Sequence, residues 1–343
     1  MVSLDIPRHQ LRRAARAAGR VERAVGRVTA GGRNVGFPYR PPTVPRGVEV
    51  PKDPPSLGAD YDTDWARNPV ARAARGVIAE GPMRLMVRGL ADPDITGLDR
   101  LADYRRRADS DDDDDDPQPL IFAPNHHSHL DTALMLRAVP FTWRRKLVVA
   151  AAADYFFDKH WKAVLAALSL NAIPIDREST GRKSADLIRE LVDDGWSLVI
   201  YPEGGRSPDG WGQEFKGGAA YVSSRTGAPV VPVFIDGTGS IFGKGMKRPK
   251  PGRSRVVFGT PMRPDEGEST RRFNARIHAA VTTLADEATT DYWTSRQRAA
   301  AGTSPQLGGP EYTGWRRQWD LAARRRQGIA GWRRRPTRKW PDL

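Results

Sequence analysis

The sequence contains no cysteine. That excludes disulfides, thiol nucleophiles and thiolate-held metals, and it is compatible with a reducing compartment. No window holds about 18 consecutive apolar residues, so no membrane-spanning helix is expected. An apolar signal core is also missing, because Leu11 to Ala18 is interrupted by arginines. Histidine is scarce, with 6 in 343 residues. Cytoplasmic residence is the expectation from these absences.

What is present is basic. The net charge is +14 and the mean hydropathy −0.58, while 39% hydrophobic residues suffice for a core. The charge is concentrated at the ends. Arg8 to Val28 carries a net +6 and Tyr312 to Leu343 a net +8, which together account for the whole +14. The middle is an ordinary globular surface. Basic ends suit an anionic membrane surface or nucleic acid. The bias toward Ala, Arg and Gly suggests a GC-rich, bacterial genome.

Along the chain, residues 1–62 read as a basic amphipathic helix followed by a Pro/Gly-rich linker. Leu11, Ala14, Ala15, Ala18, Val21, Val25 and Val28 share one face of a helix over 8–28. Such a helix can lie in a membrane interface or pack on its own domain. A second helical region is expected within 63–90, capped by Thr63 or Asp64 and broken at Gly81-Pro82. Residues 91–103 read as loop and turn. The acidic run Asp109–Asp116, within a loop at 108–118, repels itself and reads as disordered. It lacks the glycine and ligand spacing of a calcium loop.

From 119 to 290 the pattern alternates. Apolar runs at 120–123, 146–150, 171–175, 197–201, 230–235 and 255–258 are separated by helix candidates at 130–138, 160–168, 181–193, 216–226 and 268–287. This predicts an α/β fold: a largely parallel central sheet flanked by helices, with an N-terminal helical region and basic, partly disordered ends. Residues 293–343 form the C-terminal tail, where Trp315, Trp319, Trp332 and Trp340 are interleaved with arginines. Trp beside Arg suits a lipid headgroup layer, or single-stranded nucleic acid, or an unstructured tail.

Half of the histidines fall in Asn125-His126-His127-Ser128-His129-Leu130-Asp131, directly after the first apolar run. A histidine near neutral pH is a general base, and a carboxylate on its far ring nitrogen fixes the tautomer. Asp131 has a blander reading, since Ser128-x-x-Asp131 is also a capping-box pattern. His127-x-His129-x-Asp131 resembles part of the metal motif of metallo-β-lactamase-like hydrolases, but the expected last histidine is Thr132. His126-His127-x-x-x-Asp131 resembles the condensation and carnitine-type acyltransferases, which usually continue with Gly where Thr132 stands.

Three further elements follow. Arg177 closes Ile173-Pro174-Ile175-Asp176-Arg177 and can grip an oxyanion. Tyr201-Pro202-Glu203-Gly204-Gly205-Arg206-Ser207 again follows an apolar strand; its glycines let a phosphate approach the backbone and Arg206 adds charge. Lys216 opens a helix whose N-terminus can accept an anion. Pro232 lies inside Val231-Pro232-Val233 and marks an edge or a bend.

In this order and spacing the blocks resemble the glycerolipid acyltransferase family, typified by lysophosphatidic acid acyltransferases. Asn125, His126, Ser128 and Asp131 match its N-H-x-S-x-x-D block. Arg177 matches the second block. Tyr201 to Ser207 matches F-P-E-G-T-R-S, with Tyr201 for Phe and Gly205 for Thr. Pro232 matches the fourth. The resemblance covers about residues 65–290.

It implies an O-acyltransferase of phospholipid biosynthesis. An acyl thioester on coenzyme A or acyl carrier protein would donate its chain to the hydroxyl of a lysophospholipid, lysophosphatidic acid first among them. By this resemblance His126 is the base and Asp131 orients it. Asn125, Ser128, Arg177, Glu203, Gly204, Gly205, Arg206, Ser207 and Lys216 would hold substrate. No metal or redox cofactor is implied, and no nucleic acid is expected. The enzyme would sit peripherally at the inner face of the cell membrane through its basic ends. Glycerol 3-phosphate, another lysophospholipid or a glycolipid remain alternative acceptors. A non-catalytic lipid-binding protein of the same fold remains an alternative class.

Overall fold

The computed structural model describes residues 58, 61–105, 117–175 and 182–308. The chain divides into two compact units, Met1–Asp53 and Pro54–Leu343. The first lies wholly outside the described residues, and with it the expected basic helix. The acidic run, Arg177 and the Trp/Arg tail beyond residue 308 lie outside them too.

In chain order the regular elements are α1 (Pro69–Ile78), α2 (Arg84–Ala91), β1 (Pro93–Thr96), β2 (Ile121–Pro124), α3 (Leu130–Ala138), α4 (Phe141–Arg144) and β3 (Leu147–Ala152). There follow α5 (Ala153–Phe156), α6 (His160–Leu170), β4 (Ala172–Ile175), α7 (Arg182–Asp193), β5 (Ser197–Val199) and α8 (Gly218–Thr226). β6 (Val230–Asp236), α9 (Thr238–Phe242), β7 (Ser254–Phe258), α10 (Thr270–Thr289) and α11 (Tyr292–Ala301) complete the set.

The strands form one seven-stranded sheet in the order β1-β7-β6-β2-β5-β3-β4. Every neighbouring pair is parallel except β6 and β7, which are antiparallel. The α/β expectation therefore holds. Helices cover both faces, as a parallel sheet requires. Successive side chains feed opposite faces. Leu120 and Phe122 join the cluster with Leu134, Met135, Val231 and Val233; Ile121 and Ala123 join the cluster with Val148, Val230, Phe273 and Ile277.

Several expectations are corrected. Residues 91–103 hold β1 and a 3-10 helix, Leu98–Tyr104, rather than a loop. β1 is legible only through its partner, since it pairs with β7 from Pro93↔Ser254 to Thr96↔Val257. Asn68, not Thr63 or Asp64, caps α1: its side chain accepts from the Ala71 N–H at 2.7 Å, with Pro69 at the first helical position. Gly81-Pro82 does not stop the helix but is absorbed in a π-helical turn, Ala79–Met83, that joins α1 to α2. Pro232 is neither on an edge strand nor at a bend. It lies in interior strand β6, opposite Gly259, where the ladder with β7 runs out; its carbonyl still accepts the Gly259 N–H at 2.8 Å. Pro174, by contrast, sits on edge strand β4, where a missing N–H costs little. Helix α11 crosses the expected domain boundary at residue 292, with Asp291 accepting from the N–H groups of Trp293 and Thr294.

β2 and β5 lie side by side, yet the chain leaves them in opposite directions. β2 leads toward β3 and β5 leads back to β6. Such a switch point opens a crevice beyond the carboxyl ends of the strands, where open α/β sheets bind ligands. The loops that carry His126 and Glu203 leave from these two ends.

Candidate active site

The loop 125–131 is folded around one carboxylate oxygen. Asp131 Oδ2 accepts from His126 Nδ1 at 2.9 Å, the His127 N–H at 2.7 Å and the Ser128 N–H at 2.8 Å. Asp131 is fully buried in the first turn of α3, where a negative charge also suits the helix dipole. The geometry accommodates both the capping and the histidine-orienting readings of Asp131. One oxygen closes the turn and holds the imidazole.

His126 is committed at Nδ1, which leaves Nε2 as the nitrogen to take a proton. Its ring stacks on Tyr201, with centroids 4.0 Å apart and planes at 25°. The Tyr201 hydroxyl lies 3.0 Å from Thr132 Oγ1. Burial, and then Asp131, hold the phenol's pKa well above its ordinary value. A neutral aromatic face under the imidazole favours the imidazolium when it forms. The sequence shows Tyr201 only as a substitution for Phe; its platform role emerges from the stacking.

Glu203 ties the two loops together. Oε1 accepts the His126 N–H at 3.1 Å, and Gln213 Nε2 reaches Oε2 at 3.3 Å. The Ser207 N–H returns a bond to the His126 carbonyl at 2.7 Å. Burial pushes the Glu203 carboxyl up to about 7, against the hydrogen bonds that favour its charged form. Burial also lowers His127 and His129, and Arg206 and His126 lower His129 further.

Three residues expected to touch substrate instead build the frame. Asn125 is buried and bonds both peptide groups of Ile235: Nδ2 donates to its carbonyl at 2.9 Å and Oδ1 accepts its N–H at 2.7 Å. The amide continues the β2–β6 ladder past the end of β2. Ser128 is buried, with Oγ donating to the Phe242 carbonyl at 2.7 Å and accepting the Leu130 N–H at 3.0 Å. Ser207 is buried and accepts the Gly210 N–H at 2.8 Å. Short polar side chains serve this purpose because they can satisfy backbone groups where the chain leaves a strand.

The remaining expected residues sit on the open side. Gly204 has φ +69, a conformation that favours glycine, with the Lys216 side-chain end 3.0–3.1 Å from where a Cβ would be. Gly205 faces open space. Arg206 is half-buried and close enough to His129 to lower its pKa. Lys216 is exposed just before α8. The structure therefore brings His126 together with Asp131 and Glu203, and Gly204 with Lys216, past the carboxyl ends of β2 and β5. Sequence reasoning missed Gln213, which carries no motif and is found only by its bonds to Glu203 and to the Gly205 carbonyl at 3.0 Å.

The metal-motif alternative needs His127, His129 and Asp131 to converge. Instead His127 gives Asp131 its backbone N–H, and His129 is exposed against the Phe242 ring, centroids 5.6 Å apart. Among the described residues no group of three or more His, Asp or Glu is arranged to hold a metal.

Residues 101–236 match the Acyltransferase family model, a segment that contains all four blocks. A chloroplastic 1-acyl-sn-glycerol-3-phosphate acyltransferase of Brassica napus is 31% identical over 133 residues, 37% of this chain and 36% of that protein. The chloroplastic enzyme of that name from Arabidopsis thaliana is 29% identical over 151 residues, 42% of this chain and 39% of its own. The alpha form from Bos taurus is 27% identical over 185 residues, 51% and 60%. The chain thus spans between about a third and three-fifths of the length of these relatives. A crystal structure of the 1-acyl-sn-glycerophosphate acyltransferase PlsC from Thermotoga maritima aligns at 21% identity with a TM-score of 0.47, covering 67% of this chain and 84% of that one.

Proposed function

We propose that the protein is an O-acyltransferase that moves a fatty acyl chain from a thioester to a lysophospholipid hydroxyl, with lysophosphatidic acid as acceptor and phosphatidic acid as product. The observation that carries this is the His126–Asp131 pair at the β2 end, with Nδ1 engaged and Nε2 left to act. The curated relatives that share this segment are named for the same acceptor.

His126 Nε2 takes the acceptor's hydroxyl proton as its oxygen bonds to the thioester carbonyl carbon. Asp131 holds the tautomer and balances the imidazolium, and Tyr201 supports it from below. The tetrahedral intermediate then expels the thiolate, the C–S bond breaks, and the proton passes from His126 to sulfur. The acyl chain goes directly from sulfur to oxygen, so no protein nucleophile is required. Gly204, Gly205, Arg206 and Lys216 offer backbone and positive charge to the acceptor's phosphate. Positioning two substrates supplies much of the acceleration. The thioester, on coenzyme A or carrier protein, is substrate, and the reaction as written uses no metal or redox cofactor.

The enzyme works at a membrane surface in this reading. Among the described residues no helix is long and apolar enough to cross a membrane. Support comes from the basic ends and from exposed apolar side chains such as Val77, Trp161 and Leu165. Deleting residues 312–343 is expected to weaken binding to anionic vesicles and to leave the remainder salt-sensitive. A sedimentation assay showing unchanged binding would remove the tail from the account.

A further inference from the structure

The strongest unexplained contact at the site comes from far beyond the matched family segment. After α11 the chain turns back and meets the loop that follows Ser207. There the Gly212 N–H donates to the Leu307 carbonyl at 2.9 Å. Leu307 Cβ stands 2.8 Å from the point that a Cβ on Gly212 would occupy, and the Leu307 carbonyl oxygen 3.3 Å from it. Leu307 also packs on the core cluster that includes Phe215 and Phe273. The two backbones are in contact with no room for a side chain between them.

The neighbouring residue makes this contact consequential. Gln213 Nε2 donates to the Gly205 carbonyl and reaches Glu203 Oε2, while Glu203 Oε1 receives the His126 N–H. Behind this loop lies a cleft of about 680 Å³, lined by Pro208, Gly212, Gln213, His278, Gln306 and Leu307. Beside this cleft Pro208, Gly210 and Trp211 are exposed, and a stretch with few buried contacts opens more easily than the core does. Leu307 closes its far end against the rest of the molecule, while the Ser207 N–H holds its near end on the His126 carbonyl.

We infer that Leu307 is a positioning residue for the acceptor: by pinning Gly212 it lets Gln213 hold the Glu203–Gly205 turn in the shape that receives the acceptor's phosphate and glycerol. This rests on the acyltransferase reading for the identity of the acceptor. It does not rest on that reading for the mechanical link. The contact belongs to this chain's C-terminal segment and not to the four blocks.

The test uses the full chain with Leu307→Gly, Gly212→Ala and the double variant. KM is measured for lysophosphatidic acid and, separately, for palmitoyl-coenzyme A, alongside amide hydrogen exchange of residues 203–213. Each single variant is expected to raise the acceptor KM about tenfold, equivalent to about 1.4 kcal/mol. The donor KM should stay within about twofold, and exchange in 203–213 should accelerate. The double variant should be no worse than the worse single one, because both break the same contact. Additive losses would overturn the inference. So would an unchanged acceptor KM, or a fall in melting temperature alone with unchanged exchange. Wild-type protein that consumes no lysophosphatidic acid would count against the acyltransferase reading. Exchange alone would then decide: accelerated exchange in Leu307→Gly upholds the link, and unchanged exchange overturns it.

Discussion

The two loops that meet at the crevice are built on different principles. The 125–131 loop is held from within: three donors from consecutive residues converge on Asp131 Oδ2, and Asn125 locks the loop's start to Ile235. The 203–213 loop is braced within by Gln213 and tied from outside by the His126 N–H and, through Gly212, by Leu307. In the proposed reaction the first arrangement fixes the geometry for proton transfer, and the second lets distant residues set the shape that receives the acceptor.

His126→Ala removes the general base, and turnover should fall by about 10²–10⁴-fold. His127→Ala, which leaves the backbone N–H on Asp131, should keep turnover within about threefold. Steady-state rates of the two variants side by side check this, and similar losses in both would show that the loop is not organised around His126.

Glu203 joins the two loops, so its titration should be felt by both. Its folded-state pKa, about 7, lies above the ordinary carboxylate value. The sign follows: the folded state binds this proton more tightly than the unfolded chain does. Its contribution to stability is complete below the ordinary carboxylate pKa and is lost as pH rises toward and through about 7. Glu203→Gln should flatten that part of the stability profile. Melting temperatures between pH 4 and 8 test it, and an identical slope in the variant would contradict the assignment.

Asn125→Ala leaves two buried peptide groups of Ile235 without partners and should destabilise the fold by about 1–3 kcal/mol. Urea unfolding measures it, and a loss under about 0.5 kcal/mol would mean that the loop is not anchored there. Tyr201→Phe is the gentlest change. It keeps the stacked ring and removes only the bond to Thr132, so turnover should fall by about two- to fivefold, in line with one modest hydrogen bond. A loss as large as that of His126→Ala would make the hydroxyl, not the ring face, the important feature.

The same contrast explains what could be read from the sequence. The core strands and helices were legible because parallel strands buried on both faces read as apolar runs, and Leu130–Ala138 follows its run as expected. β1 was not, because Pro93-Asp94-Ile95-Thr96 is short and half exposed and gains its identity from pairing with Ser254–Val257. α11 was missed because its Arg- and Ala-rich sequence has little apolar face; only its Asp291 cap and its packing on α10 define it. At the site, the His126–Asp131 pairing was legible because its members are five residues apart. The braces, Gln213 and Leu307, were not, because a residue that supports a loop from a distance leaves no local pattern. Asn125, Ser128 and Ser207 were legible as important but not as frame, since the same short polar side chains serve substrates and backbone turns alike.

The central claim, that His126 transfers a proton between an acceptor hydroxyl and a thioester sulfur, is tested most directly by thiol release. Purified protein is given palmitoyl-coenzyme A with and without lysophosphatidic acid, and His126→Ala is run in parallel. Release that requires the acceptor and vanishes in the variant is the predicted result. Release that ignores the acceptor, or that survives in His126→Ala, would contradict it.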